Sequence, residues 1–447
     1  MHKTNKQTIF KPLKLGNLLF CLGIIFLPSA LIVGGLFLLI ALIISVSKTN
    51  RLIFNDKWNY PFFLSTGLLI LSCIKNTITP SLSNIAEWNV TSVWVNLFNL
   101  IPLFLCFWGF QEFLKSKKQR NLFVCCLLIG NIPVIFSCIA QYWFNWYGPF
   151  ETLNGMIIWF QKPLPASKAI SGLFSNPNYA GFWLSSMFPF SLALFLKKNG
   201  SILKSIILFL NALFIFYLAI LSNSRNALIA VFSSFPFLIG FKILCFILIT
   251  LLMILIISIY FMPSTSLGIV SQFKLIPYKL IEKIFFNEFG QIQNFPRIDI
   301  YAKTITFISQ KPWLGWGGST FAYIYILSKE GTINAQHSHN LSLQLAFDFG
   351  LPLSIILTTT ILILFIKVSR KIIPIKKNNE SYIDKSLLAS SFIAISFHLL
   401  DIPYYDARVS ILTWTLFASL KCILDEKIET SKLDSDNQIG KFKNYIN

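Results

Sequence analysis

The chain has 447 residues, of which 55% are hydrophobic and only 13% charged, with 38 Lys and Arg against 18 Asp and Glu for a net charge of +20. Soluble domains carry about 25% charged residues, so a string of soluble domains is excluded. The basic residues cluster between apolar runs of about 20 residues, as in a helical membrane protein obeying the positive-inside rule, so the charge does not point to nucleic acid. No loop holds a pair of the eight cysteines, which excludes a disulfide framework and zinc-ligand spacing.

Twelve membrane spans with both termini cytoplasmic fit the charge pattern. The basic start "MHKTNKQTIFKPLKLG" precedes an apolar stretch too long for a signal peptide and without a clear cleavage site, so it reads as a retained anchor. From Asn17 to Val46 the chain is apolar for longer than one upright helix needs. "LPSALIVGG" divides it into two short helices and returns "SKTNRLIFNDK" to the cytoplasm. A third span (Tyr60 to Ile74) leads out, and a fourth (Val93 to Leu114) leads back to "KSKKQR". The fifth ends at the interfacial aromatics "QYWFNWYG". An external loop reaches Tyr179. The sixth span then leads to "KKNGSILK" inside, and the seventh delivers "SNSRN" outside. The eighth (Ala227 to Gly240) returns, and the ninth ends near Met262.

The one long loop runs from Pro263 to His339. Within it, "FKLIPYKLIEKIFFNEFG" has the spacing of a helix lying in the headgroup plane. A second helix starts at Pro296 and breaks at Pro312, with Asp299 and Lys303 as an i,i+4 pair. The tenth span (Asn340 to Ile366), the eleventh before "DIPYYDAR" and the twelfth complete the bundle. The division is therefore 1–262, 263–339, 340–424 and a disordered tail at 425–447.

Four polar groups gather on the external face: "GLFSNPNYAG" with Asn178, "SNSRNAL" with Arg225, Arg297 in the long loop, and "HSHN" with Asp348. An arginine wedged between apolar helices is costly and usually has a task, although its charge can also snorkel to the interface. Arginine forks and helix N-termini both suit phosphate, and two forks on one face suit a pyrophosphate. His339 opens a helix, whose N-terminus disfavours the imidazolium, so its neutral ring suits a general base. Spacing alone does not separate His337 from His339. Position assigns the base to His339, beside Asn340, and leaves His337 and Asn340 in support. Asp348 is expected to pair with a buried arginine or to hold a histidine. Histidines at i and i+2 are a weak metal signature and no external carboxylate pair has ligand spacing, so neither metal nor cofactor is expected. The arginines would then stabilise the leaving diphosphate.

"GLFSNPNYAG", "SNSRNALIA", "PRIDIYAKTITFISQKPWLGWGGSTF" and "HSHNLSLQLAFDFGLP" together resemble the O-antigen ligase and polymerase superfamily of bacterial envelope glycosyltransferases. The ligase pattern of histidine, asparagine, nine residues and glycine falls on His339, Asn340 and Gly350, with Leu351 where the family usually has valine or threonine. The resemblance implies an all-α, GT-C-like membrane enzyme of the bacterial inner membrane with its long loop periplasmic. It also implies metal-independent, inverting transfer of a glycan from undecaprenyl pyrophosphate to a lipid A core sugar. Arg225 and Arg297 would hold the pyrophosphate and His339 would activate the acceptor. A polymerase is the alternative, but its pattern of arginine, ten residues and glycine fails at Pro236 and Ile308. Ligation to a protein acceptor is a further variant. Inorganic-carbon transport, with Asp348 and His398 as a relay, fits worse because the polar residues gather at one face.

Overall fold

The computed structural model describes residues 4–48, 53–80, 90–197, 201–240, 253, 296–328, 335–374 and 381–426. The long first apolar stretch forms two helices, α1 (Thr4–Phe26) and α2 (Leu31–Lys48), packed on each other. The break falls at Leu27 to Ala30, around Pro28, which has no N–H to continue a helix. After α3 (Tyr60–Ile78), the expected fourth span is interrupted. It comprises α4 (Thr91–Val95), a 3-10 turn, α5 (Ile101–Gly109) and another 3-10 turn. Asn96 turns its amide to Ser92 O, four residues back, and to Ser319 Oγ, 223 residues on, and Pro102 lies at the start of α5.

A Ser116–Gln119 capping box starts α6 (Lys117–Trp143). The external loop after it holds a small hairpin, β1 (Phe150–Thr152) against β2 (Ile157–Trp159), antiparallel with Phe150 opposite Trp159. Then come α7 (Pro177–Leu196), α8 (Ile202–Leu221) and α9 (Arg225–Ile239). The described chain resumes with α10 (Pro296–Gln310), α11 (Phe321–Leu327), α12 (Leu341–Phe349), α13 (Leu351–Ile372), α14 (Ser381–His398) and α15 (Ala407–Asp425).

Among the described residues seven helical stretches are long and apolar enough to cross a membrane, and α1, α2 and α9 are shorter apolar helices. The molecule is thus a polytopic helical membrane protein. The ninth expected span apart from Met253, the headgroup-plane helix at 273–290 and the tail beyond Glu426 lie outside the described residues. Helix α7 is buried almost all round because α8, α9 and α14 all pack on it. Helix α8 instead exposes Ile206, Ile207, Leu210 and Leu213, as suits a lipid-facing surface.

The two ends of the bundle differ. At the basic end, Arg120 Nε and Nη2 reach Asp384 at 2.7 and 3.1 Å while Nη2 also meets Glu426 at 2.5 Å. Lys421 bridges to Asp56 at 3.2 Å, and Lys371 Nζ donates to the carbonyls of Ile423 and Leu424 at 2.8 and 2.9 Å. These bonds tie α6, α13, α14 and α15 together where each would otherwise leave a buried charge unpaired.

At the opposite end the structure corrects the expected tenth span: α12 and α13 are separate helices, broken at Gly350. That residue has φ +95°, and a Cβ there would come within 2.1 Å of Trp313 O. The neighbouring "KPWLGWGG" segment takes up the backbone groups freed by the break: Leu351 N donates to Pro312 O at 2.7 Å, and Trp316 N and Gly317 N donate to Phe347 O and Asp348 O at 2.8 and 2.9 Å. With Ile300, Phe307 and Phe321 packed around Phe347, α10, α11 and α12 form a separate small core at this end. Gly350→Ala therefore adds the strain of a positive-φ, extended-ψ backbone open essentially to glycine alone, about 1–3 kcal/mol, to a clash with rigid backbone. It should lower the melting temperature in detergent clearly, whereas Gly35→Ala, with open space around its Cβ position, should leave it unchanged.

Candidate functional site

The end opposite the basic cluster collects the N-termini of α7, α9, α12 and α15 and the C-terminus of α14. His339 precedes α12 with φ +53°, a left-handed conformation that costs a residue with a side chain energy and persists only where neighbours impose it. Several bonds impose it. His339 N donates to His337 Nδ1 at 3.3 Å, and Tyr301 Oη, from α10, donates to His339 O at 3.3 Å. Ser338 N donates to Gln344 Oε1 at 2.9 Å. Asn340 caps α12 by accepting from Leu343 N at 3.0 Å, and its amide donates to Leu399 O at 3.0 Å, which fastens the turn to the end of α14.

The partner of His339 is Asp401, in the loop after α14. His339 Nδ1 lies 3.0 Å from Asp401 Oδ1, which also accepts from Ile402 N at 2.9 Å. Asn178, in the first turn of α7, donates to Asp401 Oδ2 at 2.6 Å. Burial pushes the Asp401 carboxyl up. The bonds from His339 and Ile402 and the charges of His339 and Arg297 outweigh it, and hold the group below its ordinary range. An ionised carboxylate only accepts, so His339 Nδ1 carries a proton, and in the neutral tautomer this leaves the lone pair on Nε2. His337 has the opposite tautomer: its Nδ1 accepts from a backbone N–H, so Nε2 carries the proton.

Arg297, in the first turn of α10, stands close enough for its charge to act on His337, Asp401 and Tyr301. Arg225 opens α9, next to the first turns of α7, where the Cβ position of Gly181 lies 2.9 Å from both Ser222 Oγ and Ser224 Cβ. Among the described residues Asp348 pairs with neither an arginine nor a histidine, contrary to expectation. Both its oxygens accept from Gln344 Nε2 at 3.1 Å, four residues back on the same helix. The "GLFS" turn is fixed from α6 by Gln141, which accepts from Ser171 N and Gly172 N at 3.0 and 2.9 Å. Gly172 has φ +52°, and a Cβ there would come within 2.8 Å of Cys138 Sγ.

His337, His339 and Asp401 bring ligand atoms within 4.8 Å of one another, a set able to hold a divalent ion. Spacing within "HSH" gave no sign of it because the third member is 62 residues away from His339. Asp401 is the main residue that sequence reasoning passed over as a partner. The available signal was a carboxylate immediately after a span.

Helices that can cross a membrane thus carry, at one end, a paired histidine and carboxylate with an arginine near enough for its charge to act on them. Residues 210–358 match the family model described as O-antigen ligase, and this match supports the resemblance to the O-antigen ligase superfamily. The chain's apolar helices make it a membrane protein. The match runs from α8 into α13 and contains Arg225, Arg297, His337, His339, Asn340 and Asp348, while Asn178 and Asp401 lie outside it. No curated protein matches the sequence.

Burial first, then the charges of His339 and Arg297, push the His337 ring from 6.5 down to about 4, against the opposing effect of Asp401. On acidification the unfolded chain therefore takes up this proton before the folded one does. Stability should be full above about pH 6.5 and fall as the pH drops toward 4. His337→Asn should flatten that part of the profile, measured by thermal unfolding in detergent across pH. An unchanged profile would mean that His337 is not held neutral by the fold.

Proposed function

We propose that the protein transfers a glycan from undecaprenyl pyrophosphate to an acceptor hydroxyl, in the manner of an O-antigen ligase, on the periplasmic face of the inner membrane. The observation that carries this reading is the His339–Asp401 pair, because it leaves His339 Nε2 as the free base. The acceptor oxygen attacks the anomeric carbon and the bond from that carbon to the phosphate oxygen breaks on the opposite side. The configuration inverts, and undecaprenyl pyrophosphate leaves. The acceptor proton goes to His339 Nε2, and the Asp401 carboxylate stabilises the resulting imidazolium through Nδ1–H. Asn178 orients that carboxylate. Arg225 and Arg297 hold the pyrophosphate and neutralise the charge that grows on it, so the step needs no metal ion. His337, with its proton on Nε2, serves as a hydrogen-bond donor rather than a base. The acceptor in this reading is a lipid A core sugar.

A positioned general base contributes about a hundredfold to ten-thousandfold. Purified His339→Ala should lose at least the lower figure in transfer while still binding the lipid pyrophosphate. His337→Ala should lose only about tenfold, roughly one hydrogen bond. Transfer by the unaltered protein should persist in excess EDTA. Equal losses at the two histidines would remove the assignment, and loss in EDTA restored by magnesium would turn the three-ligand set into a metal site.

The orientation has its own test. In a cysteine-free background, single cysteines at the exposed positions Asn154 and Lys168 should react with an impermeant maleimide in intact spheroplasts, and one at exposed Lys118 only after lysis. The reverse pattern would put the site on the cytoplasmic face.

A further inference from the structure

A cavity of about 130 Å³ lies between α12, α13, α14 and α15, with Leu341 and Leu399 on the side nearest the Asn340–Leu399 bond. Its wall is apolar apart from a few groups. Most of these are satisfied: Ser342 and Thr358 hydroxyls lie 3.0 Å apart, and Tyr404 Oη accepts from Trp414 Nε1 at 3.0 Å and donates to Asn99 O at 2.9 Å. Two are not. His398 Nε2 and Thr413 Oγ1 are buried without a hydrogen-bond partner among the described residues, on residues only 6% and 3% exposed, and both residues line this cavity. An unpaired buried polar atom is costly, so two on residues that line one space call for a ligand.

The chemistry of that ligand follows from the tautomer. His398 Nδ1 lies 2.6 Å from Ala394 O, and a carbonyl only accepts, so Nδ1 carries the proton and Nε2 of the neutral ring accepts. The ligand must therefore supply a donor to His398 and meet the hydroxyl of Thr413, which a ligand hydroxyl does at once. The rest of the space is apolar and exceeds one water's share of about 30 Å³, so a hydrocarbon body fits it better than water does. Leu362 and Leu399, which border the cavity, are 38% and 44% exposed on the outer surface of the bundle. Access is sideways, from where the bilayer would lie.

We propose that this cavity receives a hydroxyl-bearing acyl chain of the acceptor lipid, with the hydroxyl between His398 Nε2 and Thr413 Oγ1. The assignment to the acceptor rests on the reading above that its sugar meets His339. A polyisoprenoid chain, which has no hydrogen-bond donor, would leave both atoms unpaired. The cavity would thus select for a chain chemistry in addition to the sugar recognised at the site.

Trp414 lines the cavity and reports on it. The test uses purified full-length protein in detergent and two probes, 3-hydroxytetradecanoic and tetradecanoic acid, each brominated near the methyl end so that a bound chain quenches tryptophan. Quenching that disappears in Trp414→Phe belongs to the cavity. The hydroxylated probe should bind about tenfold more tightly than the plain one, roughly one hydrogen bond. That preference should vanish in Thr413→Val and in His398→Leu while plain-chain binding remains. Absence of Trp414-dependent quenching, equal binding of the two probes, or a preference that survives both substitutions would overturn the proposal. Binding is read without donor or transfer, so failure here leaves the glycosyl-transfer reading standing, and failure of that reading leaves this binding measurable.

Discussion

The site depends on one carboxylate held from both sides. Asp401 takes the ring of His339 on one oxygen, at 3.0 Å, and the amide of Asn178 on the other, at 2.6 Å. Those three residues come from the turn before α12, the loop after α14 and the first turn of α7, so the contact exists only when three separate parts of the bundle are in register. In a low-dielectric setting a buried carboxylate without such partners would protonate or pull in water. The same bonds that keep it ionised fix the tautomer of His339. Stability and chemistry are therefore one requirement at this point.

The opposite end supplies the register. Arg120 joins α6 to Asp384 at the start of α14 and to Glu426 beyond α15, and Lys421 ties α15 to Asp56 before α3. Buried pairs of this kind add little net energy, but breaking one is expensive, and they discriminate strongly against misaligned helices. Since α14 and α15 carry the loop of Asp401 between them, locking their far ends limits how that loop can move. A third lock lies closer to the site: Arg408 pairs with Asp406 at 2.5 Å and stacks on Phe174 at 4.4 Å, so the loop after α14 is fastened to the turn before α7.

Helix breaks do the rest. An unbroken tenth span would carry His339 and Asn340 on the end of a long rod. The break at Gly350 makes α12 a short helix that docks on α10 and α11 as a unit, with the "KPWLGWGG" segment supplying donors to its last carbonyls. Positive φ at His339 then turns its ring back toward α14. The cavity with the unpaired His398 and Thr413 atoms lies on the lipid side of this same junction, where a short helix meets long ones and packing is least complete.

Much of this was legible in the chain alone. Hydropathy and basic loops determine a helical membrane bundle, because a bilayer admits only helices and closed barrels, and apolar runs of about 20 residues have the length of spanning helices. Pro28 and Pro296 mark a break and a helix start for steric reasons that need no tertiary context. The cost of a charge between apolar helices singles out Arg225, whereas Arg297 and His339 stand out chiefly through the family resemblance of the quoted motifs. What the chain alone did not determine is which polar groups meet. Asp348 has the better sequence position for a histidine partner, on the same helix as "HSHN". Yet its oxygens are taken by Gln344, four residues back, because that neighbour is always within reach on a helix. Asp401 reaches His339 across 62 residues of chain. Hydrogen bonds act over about 3 Å, whereas sequence separation says nothing about distance once helices fold back on one another, so that pairing was decided by the packing of α7, α12 and α14 alone.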